Sequence, residues 1–211
     1  MSATEKEKPK HKAFTLPLPI GDFKAYLFDC DGTIVDSMPL HFIAWSKALG
    51  EFNCPFPEER FYQWGGMPIH EIIERLSEEH GIEMPVEELA IRKEAIYYES
   101  LPELKSVPEV VEHIEHSHGY KAFAVVSGGT RESVEASLSV LGLRDKFDIL
   151  VCAGDYTRSK PDSEPYLMAA AQLGVAPDDC LVFEDTQMGI DAAEAAGMAW
   201  VRVPAPWERS K

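Results

Sequence analysis

The chain has 211 residues, 45% hydrophobic and 27% charged, enough for one full core and a modest second lobe of a globular protein. Its net charge of −16 argues against a nucleic-acid partner, which needs clustered Lys and Arg, but leaves room for a small phosphorylated ligand held by a local cation. Cys30, Cys54, Cys152 and Cys180 form no C-x-x-C pair and no apolar run approaches the ~18–20 residues that span a bilayer, so a reduced, cytoplasmic protein with no membrane partner is expected.

Glu5 and Glu7 precede an apolar stretch at 13–20 that Pro17 and Pro19 interrupt, so residues 1–21 read as a flexible polar leader and not a secretory signal. Residues 23–28 read as the first strand, ending in the acidic turn Asp29-Cys30-Asp31-Gly32. From 38 to 104 no strand is predicted. Helical patterns at 40–49, 57–64, 70–80 and 86–99 make this stretch a separate small lobe, with Pro39, Pro102 and Pro108 near its borders. Strands return at 122–126, 147–152, 180–183 and 199–203, short runs rich in Val, Ile, Leu and Phe, as in a parallel sheet covered on both faces. Helices are expected between them. Pro108 opens one that ends before Gly119, and those at 131–141, 164–173 and 188–196 stop at Gly142, Gly174 and Gly197. This alternation predicts an α/β fold: a Rossmann-like parallel sheet from residues 22–37 and 105–211, interrupted by a helical bundle at 38–104.

Polar residues gather where these strands end. Asp29 and Asp31 follow the first strand, Ser127 the second, Lys160 lies on the loop after the third, and Glu184-Asp185 closes the fourth. Open α/β sheets bind ligands at the carboxyl ends of their strands, so the four groups are expected to share one crevice. In an extended segment Asp29 and Asp31 would project to the same side. One carboxylate could attack phosphorus while the other reaches the leaving oxygen. Mg²⁺ would offset the repulsion between carboxylate and phosphate, with Asp29, the Asp31 carbonyl, and Glu184 or Asp185 as its environment. Lys160 and Ser127 would hold the phosphoryl oxygens, and Gly128 and Gly129 would offer backbone N–H groups to the anion. A calcium loop is excluded, because its sixth and twelfth places, counted from Asp29, hold Ile34 and Leu40.

Four motifs together resemble the haloacid dehalogenase superfamily, in particular its members with a helical cap: Asp29-Cys30-Asp31-Gly32-Thr33, Val126-Ser127-Gly128, Ser159-Lys160-Pro161-Asp162 and Phe183-Glu184-Asp185-Thr186. The resemblance implies that Asp29 is a phospho-aspartyl nucleophile and Asp31 a general acid that later activates water. It further implies Mg²⁺ beside Asp29, Asp31, Glu184 and Asp185, with phosphate on Ser127 and Lys160. Dehalogenases of the superfamily lack the second aspartate, so Asp31 points to an oxygen leaving group.

Within the superfamily the chain looks like the β-phosphoglucomutase-like branch, which includes sugar-phosphate phosphatases and leans to monomers. His41 either enters the cleft to serve substrate and Asp31 or stays a partly exposed helical histidine. Lys93 matches a cap lysine of the branch and reads equally as a helix-surface lysine. Gly66, in the cap loop Gly65-Gly66-Met67-Pro68-Ile69-His70, is counted among the substrate contacts. The mutases carry an arginine in this loop to clamp a second phosphate, whereas the aligned residue here is Ile69. A phosphatase acting on a small sugar phosphate is therefore expected, with a hexose phosphate mutase as the alternative. At least two of Phe61, Tyr62 and Trp64 are expected in the lobe core. His113, His116 and His118 are expected on a solvated face, and Cys30 as a small core residue.

Overall fold

A computed structural model describes residues 14–209. The strands are β1 (Ala25–Phe28), β2 (Ala122–Val126), β3 (Ile149–Val151), β4 (Cys180–Glu184) and β5 (Ala199–Arg202). The helices are α1 (Met38–Gly50), α2 (Glu58–Gln63), α3 (Ile69–His80), α4 (Val86–Ser100), α5 (Pro108–Ser117), α6 (Arg131–Val140), α7 (Glu164–Leu173), α8 (Gln187–Ala195) and α9 (Pro206–Arg209). All five strands are parallel, in the order β3-β2-β1-β4-β5. The chain builds outward from β1 on one side and then on the other, so β1 lies at the point where strand order reverses, the usual place for a ligand crevice.

Side chains alternate along a strand, and the sheet buries both faces accordingly. Tyr26, Phe28, Phe123, Val125 and Phe183 share one face with Val110 and Ile114 of α5 and Val134 and Leu138 of α6. Ala25, Leu27, Ala124, Val126 and Val182 share the other with Tyr166 and Ala169 of α7 and Ala192 and Ala193 of α8. Small residues on this second face let α7 and α8 approach the sheet closely, while the first face is filled by stacked rings, Phe28 and Phe183 lying 4.6 Å apart.

The predicted strand at 147–152 shrinks at both ends. Phe147 closes a tight turn and its carbonyl accepts from Arg144 Nη1 at 3.2 Å, while the Cys152 N–H donates to Asp155 Oδ2 at 2.8 Å. Both backbones are spent on loop contacts instead of the ladder. The other predicted strands and helices fall within two residues of their limits, and the short α9 was not predicted.

From Met38 to Ser100 the chain forms α1–α4 around a second hydrophobic cluster that includes Trp45, Phe56, Phe61, Ile73, Leu76, Leu89 and Tyr97. Phe61 is buried, with Tyr62 and Trp64 packed partly buried against the same cluster. The two connections to the sheet lobe run side by side. The Asp36 N–H donates to the Lys105 carbonyl and the Val107 N–H to the Ile34 carbonyl, each at 2.8 Å.

The flexible leader predicted through residue 21 does not extend that far. Leu16 is 5% exposed within the sheet-lobe core, Phe14 and Leu18 pack against the same cluster, and the Phe14 N–H donates to Glu109 Oε1 at 3.1 Å. Three alternating apolar side chains outweigh the local polar composition once a core surface is there to receive them. Residues 1–13 of that predicted leader lie outside the described residues. Among the described residues, no helix is long and apolar enough to cross a membrane.

Candidate active site

Asp29 stands one residue beyond β1, its N–H donating to the Phe183 carbonyl at 3.0 Å. The residue is 3% exposed, and its carboxylate accepts from Lys160 Nζ at 2.8 Å. Lys160, 2% exposed, also donates to Glu184 Oε1 at 2.7 Å and to the Val126 carbonyl at 3.0 Å, above the Tyr166 ring. The second Glu184 oxygen accepts from the Thr186 N–H at 2.7 Å and its hydroxyl at 2.9 Å. Asp185 accepts from the Thr33 hydroxyl at 3.0 Å. A lysine buried this deeply is held charged by its carboxylates. Burial lowers its proton affinity, and Asp29 and Glu184 raise it well above the ordinary value.

One ammonium does not balance the three carboxylates. Asp29, Glu184 and Asp185 each present an oxygen within 4.8 Å of the others, all buried. Burial, and then Glu184 and Asp185 acting against Lys160, push the Asp29 carboxyl well above the usual range. Burial and Glu184 push Asp185 up to about 7. An excess of enclosed, all-oxygen, negative donors suits a hard divalent cation, and Mg²⁺ takes one or two carboxylates with other oxygens and waters. Asp31, predicted among the metal environment, does not bring its side chain to this cluster.

The reason is the shape of the turn. Asp29 and Asp31 were expected on one extended segment, but the backbone coils at Cys30. Its carbonyl accepts from the N–H groups of Thr33, Ile34 and Val35 at 3.3, 3.0 and 3.0 Å, and Gly32 takes φ +94°. A Cβ at Gly32 would overlap the Asp185 carboxylate, so the turn needs glycine both for its φ and for its closeness to the opposite strand end. Asp31 is thereby directed toward the cap. Its Oδ1 accepts from Ser37 Oγ at 2.5 Å and lies 3.1 Å from His41 Nε2. Burial raises the Asp31 carboxyl, but His41 and Ser37 more than reverse this and hold it at about 2. Cys30 itself is fully buried in the core.

His41 is 8% exposed and enters the cleft. Its Nδ1 lies 2.9 Å from Lys93 Nζ, and its ring stacks on Tyr97 at 3.9 Å. Burial and Lys93 lower its pKa below the usual 6.5. Lys93 is no surface lysine: it is 4% exposed, and its ammonium serves His41 and, at 2.7 Å, Glu94. An unbroken chain of contacts thus runs from Asp31 through His41 and Lys93 to Glu94.

Ser127 follows β2 and is 2% exposed. Gly129 was expected to offer its N–H to an anion, but that N–H already donates to Ser127 Oγ at 3.0 Å. Helix α6 begins instead with the Thr130 side chain accepting from the Ser133 N–H at 3.3 Å. Gly128 lies against the Gly66 carbonyl of the cap loop, which a Cβ at Gly128 would overlap, and Gly66 sits over Lys160 and Thr186. The cap is therefore seated on the sheet lobe. The half-open cleft between the lobes, about 80 Å³, is lined by Asp29, Asp31, His41, Lys93, Ser127, Gly66, Gly128 and Gly129 and by a largely apolar cap wall that includes Phe61, Trp64, Met67, Ile69 and Ile72. Arg60 and Arg75 flank Trp64 but turn outward to Glu79 and Glu71, and neither lines the cavity. His116 is exposed on α5, its Nδ1 donating to the Glu112 carbonyl of its own helix at 2.8 Å, as expected of a solvated face, whereas His113 is half-buried with its ring 5.9 Å from that of Phe183.

Sequence reasoning had not found Ser37, Tyr97, Thr33, Tyr166 or Glu94. Ser37 at the head of α1 looks like a helix cap, yet its hydroxyl goes to Asp31 and makes no capping bond. Tyr97 was findable in principle, lying four residues from Lys93 on the same face of α4.

Comparison with known proteins agrees with this arrangement. Residues 26–203 match the haloacid dehalogenase-like hydrolase family. The fructose-1-phosphate phosphatase YqaB of Escherichia coli is 35% identical over 86% of this chain and 96% of its own length. A phosphorylated carbohydrates phosphatase of Thermotoga maritima is 32% identical over 83% of this chain and 82% of its own. The crystal structure of a β-phosphoglucomutase from Clostridium difficile superposes with a TM-score of 0.76, at 26% identity, covering 84% of this chain and 83% of that one. With its family match spanning nearly all of the described residues, the chain belongs to the haloacid dehalogenase-like hydrolases.

Proposed function

We propose that the protein is a Mg²⁺-dependent phosphatase that hydrolyses a small sugar phosphate through an Asp29 acyl phosphate. The observation that carries the reading is the buried assembly of Asp29, Lys160, Glu184 and Asp185 at one end of the sheet, facing Asp31 across the Gly32 turn. Asp29, Glu184 and Asp185, with the Asp31 carbonyl, would hold the metal, which supplies positive charge to offset that of the phosphoryl group and its nucleophile. Lys160 fixes the Asp29 oxygen and adds charge where the phosphoryl oxygens gain it; Ser127 and the Gly128 amide bind the same oxygens. Asp29 attacks phosphorus, and Asp31 protonates the leaving oxygen. An arriving phosphate dianion raises the proton affinity of Asp31 from its low resting value, which suits the acid role. Once the alcohol has left, His41 and Ser37 again favour the carboxylate, which suits activation of water.

Residues 38–104 act in this reading as a cap that opens at the paired connections near Ser37 and Leu104 and closes over substrate, with Gly66 on Gly128. Water is the final acceptor. A mutase must hold a second phosphate while its intermediate turns over, and the cavity presents Ile69 where a clamp would be needed. The four cysteines are free and buried, in keeping with a reducing compartment such as the cytoplasm. The test is phosphate release from a panel of hexose and pentose phosphates with and without Mg²⁺, together with a coupled assay for interconversion of hexose 1- and 6-phosphates. Metal-dependent release that Asp29→Asn abolishes is expected. Activity that survives this substitution, or isomer exchange primed by a bisphosphate without net release, refutes the assignment.

A further inference from the structure

Among the described residues, Glu94 is the one cap carboxylate lining the cavity over Asp29, and the chemistry above gives it no task. It stands on α4 beside Lys93, with its side chain 15% exposed. Oε1 accepts from Lys93 Nζ at 2.7 Å. Oε2 is enclosed and has no hydrogen-bond partner among the described residues. A carboxylate oxygen removed from water without a donor is destabilised until a donor reaches it. Of the other cap side chains lining the cavity, His41 is engaged with Asp31 and Lys93, and the indoles of Trp45 and Trp64 make no hydrogen bond to this oxygen. The Lys93 ammonium is already shared between Oε1 and His41. A hydroxyl on the occupant of the cavity would supply that donor.

We propose that Glu94 is a specificity residue that accepts a hydroxyl of the leaving alcohol. The enzyme then takes monophosphates of neutral polyhydroxylated compounds and rejects substrates whose far end carries a carboxylate or a second phosphate. Rejection follows from charge. A second anion would sit near the Glu94 carboxylate, and Lys93, the one lysine on the cap side of the cavity, is already paired with that carboxylate, with no arginine on the wall to add charge. A site built to take a hydroxyl also discriminates against an analogue that lacks one, because its buried acceptor is left unpaired. The inference rests on the phosphatase reading for its catalytic consequence, though not for binding.

The experiment compares wild type with Glu94→Gln, a near-isosteric neutral side chain, on a hexitol monophosphate, on p-nitrophenyl phosphate, which has no hydroxyl, and on phosphoglycolate, which has a carboxylate. The ratio of kcat/KM for the hexitol phosphate to that for p-nitrophenyl phosphate is expected to fall about tenfold as a charge-assisted hydrogen bond becomes a neutral one. The ratio for phosphoglycolate to that for p-nitrophenyl phosphate should rise. A parallel loss on all three, the signature of a residue that merely holds Lys93 in place, overturns the proposal. In the Asp29→Asn background, where no turnover occurs, calorimetry should show about tenfold weaker hexitol phosphate binding on adding Glu94→Gln. Equal affinities overturn it as well. If wild type releases phosphate from none of the three, the phosphatase reading fails while the calorimetric comparison still decides the role of Glu94.

Discussion

Replacing Lys160 by Met separates the charge balance of the site from its packing. Methionine keeps most of the aliphatic stem over Tyr166 but removes the ammonium that bonds Asp29 at 2.8 Å, Glu184 at 2.7 Å and the Val126 carbonyl at 3.0 Å. All the partners are buried, so water cannot take the place of the lost charge. Removing one member of a buried ion pair costs about 3–5 kcal/mol, chiefly from the charge left behind. For a protein of this size each kcal/mol shifts Tm by about 2–4 °C, so the metal-free variant should melt roughly 6–20 °C below wild type. The stranded carboxylates bind protons more tightly in the folded than in the unfolded chain. Stability is then lost as pH rises through the folded pKa, and the deficit narrows as pH falls. Thermal unfolding followed by circular dichroism in EDTA, near neutral pH and about two units below, measures both effects. A double variant, Asp29→Asn with Lys160→Met, removes one stranded charge and should recover part of the loss. If Lys160→Met melts within about 2 °C of wild type in EDTA, or if the double variant is no more stable than the single one, the ion-pair account is wrong.

Burial and Lys93 hold His41 below its usual pKa, so the unfolded chain takes up that proton first as pH falls and stability drops below about pH 6.5. Wild type should therefore lose more Tm than His41→Gln between about pH 7.5 and 5, and parallel curves would contradict a buried neutral imidazole. Leu16→Ala should destabilise by about 2 kcal/mol, read as the shift of a urea midpoint at unchanged slope; no shift would mean that the segment at 14–20 is not docked on the core.

The sheet was legible in the sequence because a strand covered on both faces must be apolar throughout. The runs at 25–28, 122–126 and 180–184 leave no polar residue inside the ladder until Glu184, at the end that faces the site. The nucleophile and its companions were legible for a related reason: polar groups that follow apolar runs have no packing purpose there, and Asp29, Ser127 and Glu184-Asp185 stand at strand ends, with Lys160 on the loop after β3. What composition could not reveal was how those charges balance. Lys160 looks like any lysine in the sequence; only the parallel register, which sets Phe28 beside Phe183, brings Asp29 and Glu184 within reach of one ammonium.

The chain by itself thus determined the chemistry available, an aspartate pair, a lysine and an acidic strand end, together with the lobe that interrupts the sheet. Tertiary structure decided how that chemistry is shared. Coiling at Cys30 sends Asp29 to the acidic cluster and Asp31 to the cap, packing of α1 on α4 connects His41, Lys93 and Glu94, and seating of the cap joins that line to Asp31. The Asp31–His41 contact joins the two lobes through side-chain geometry, and no local pattern of residue types encodes an angle of approach between two packed bodies.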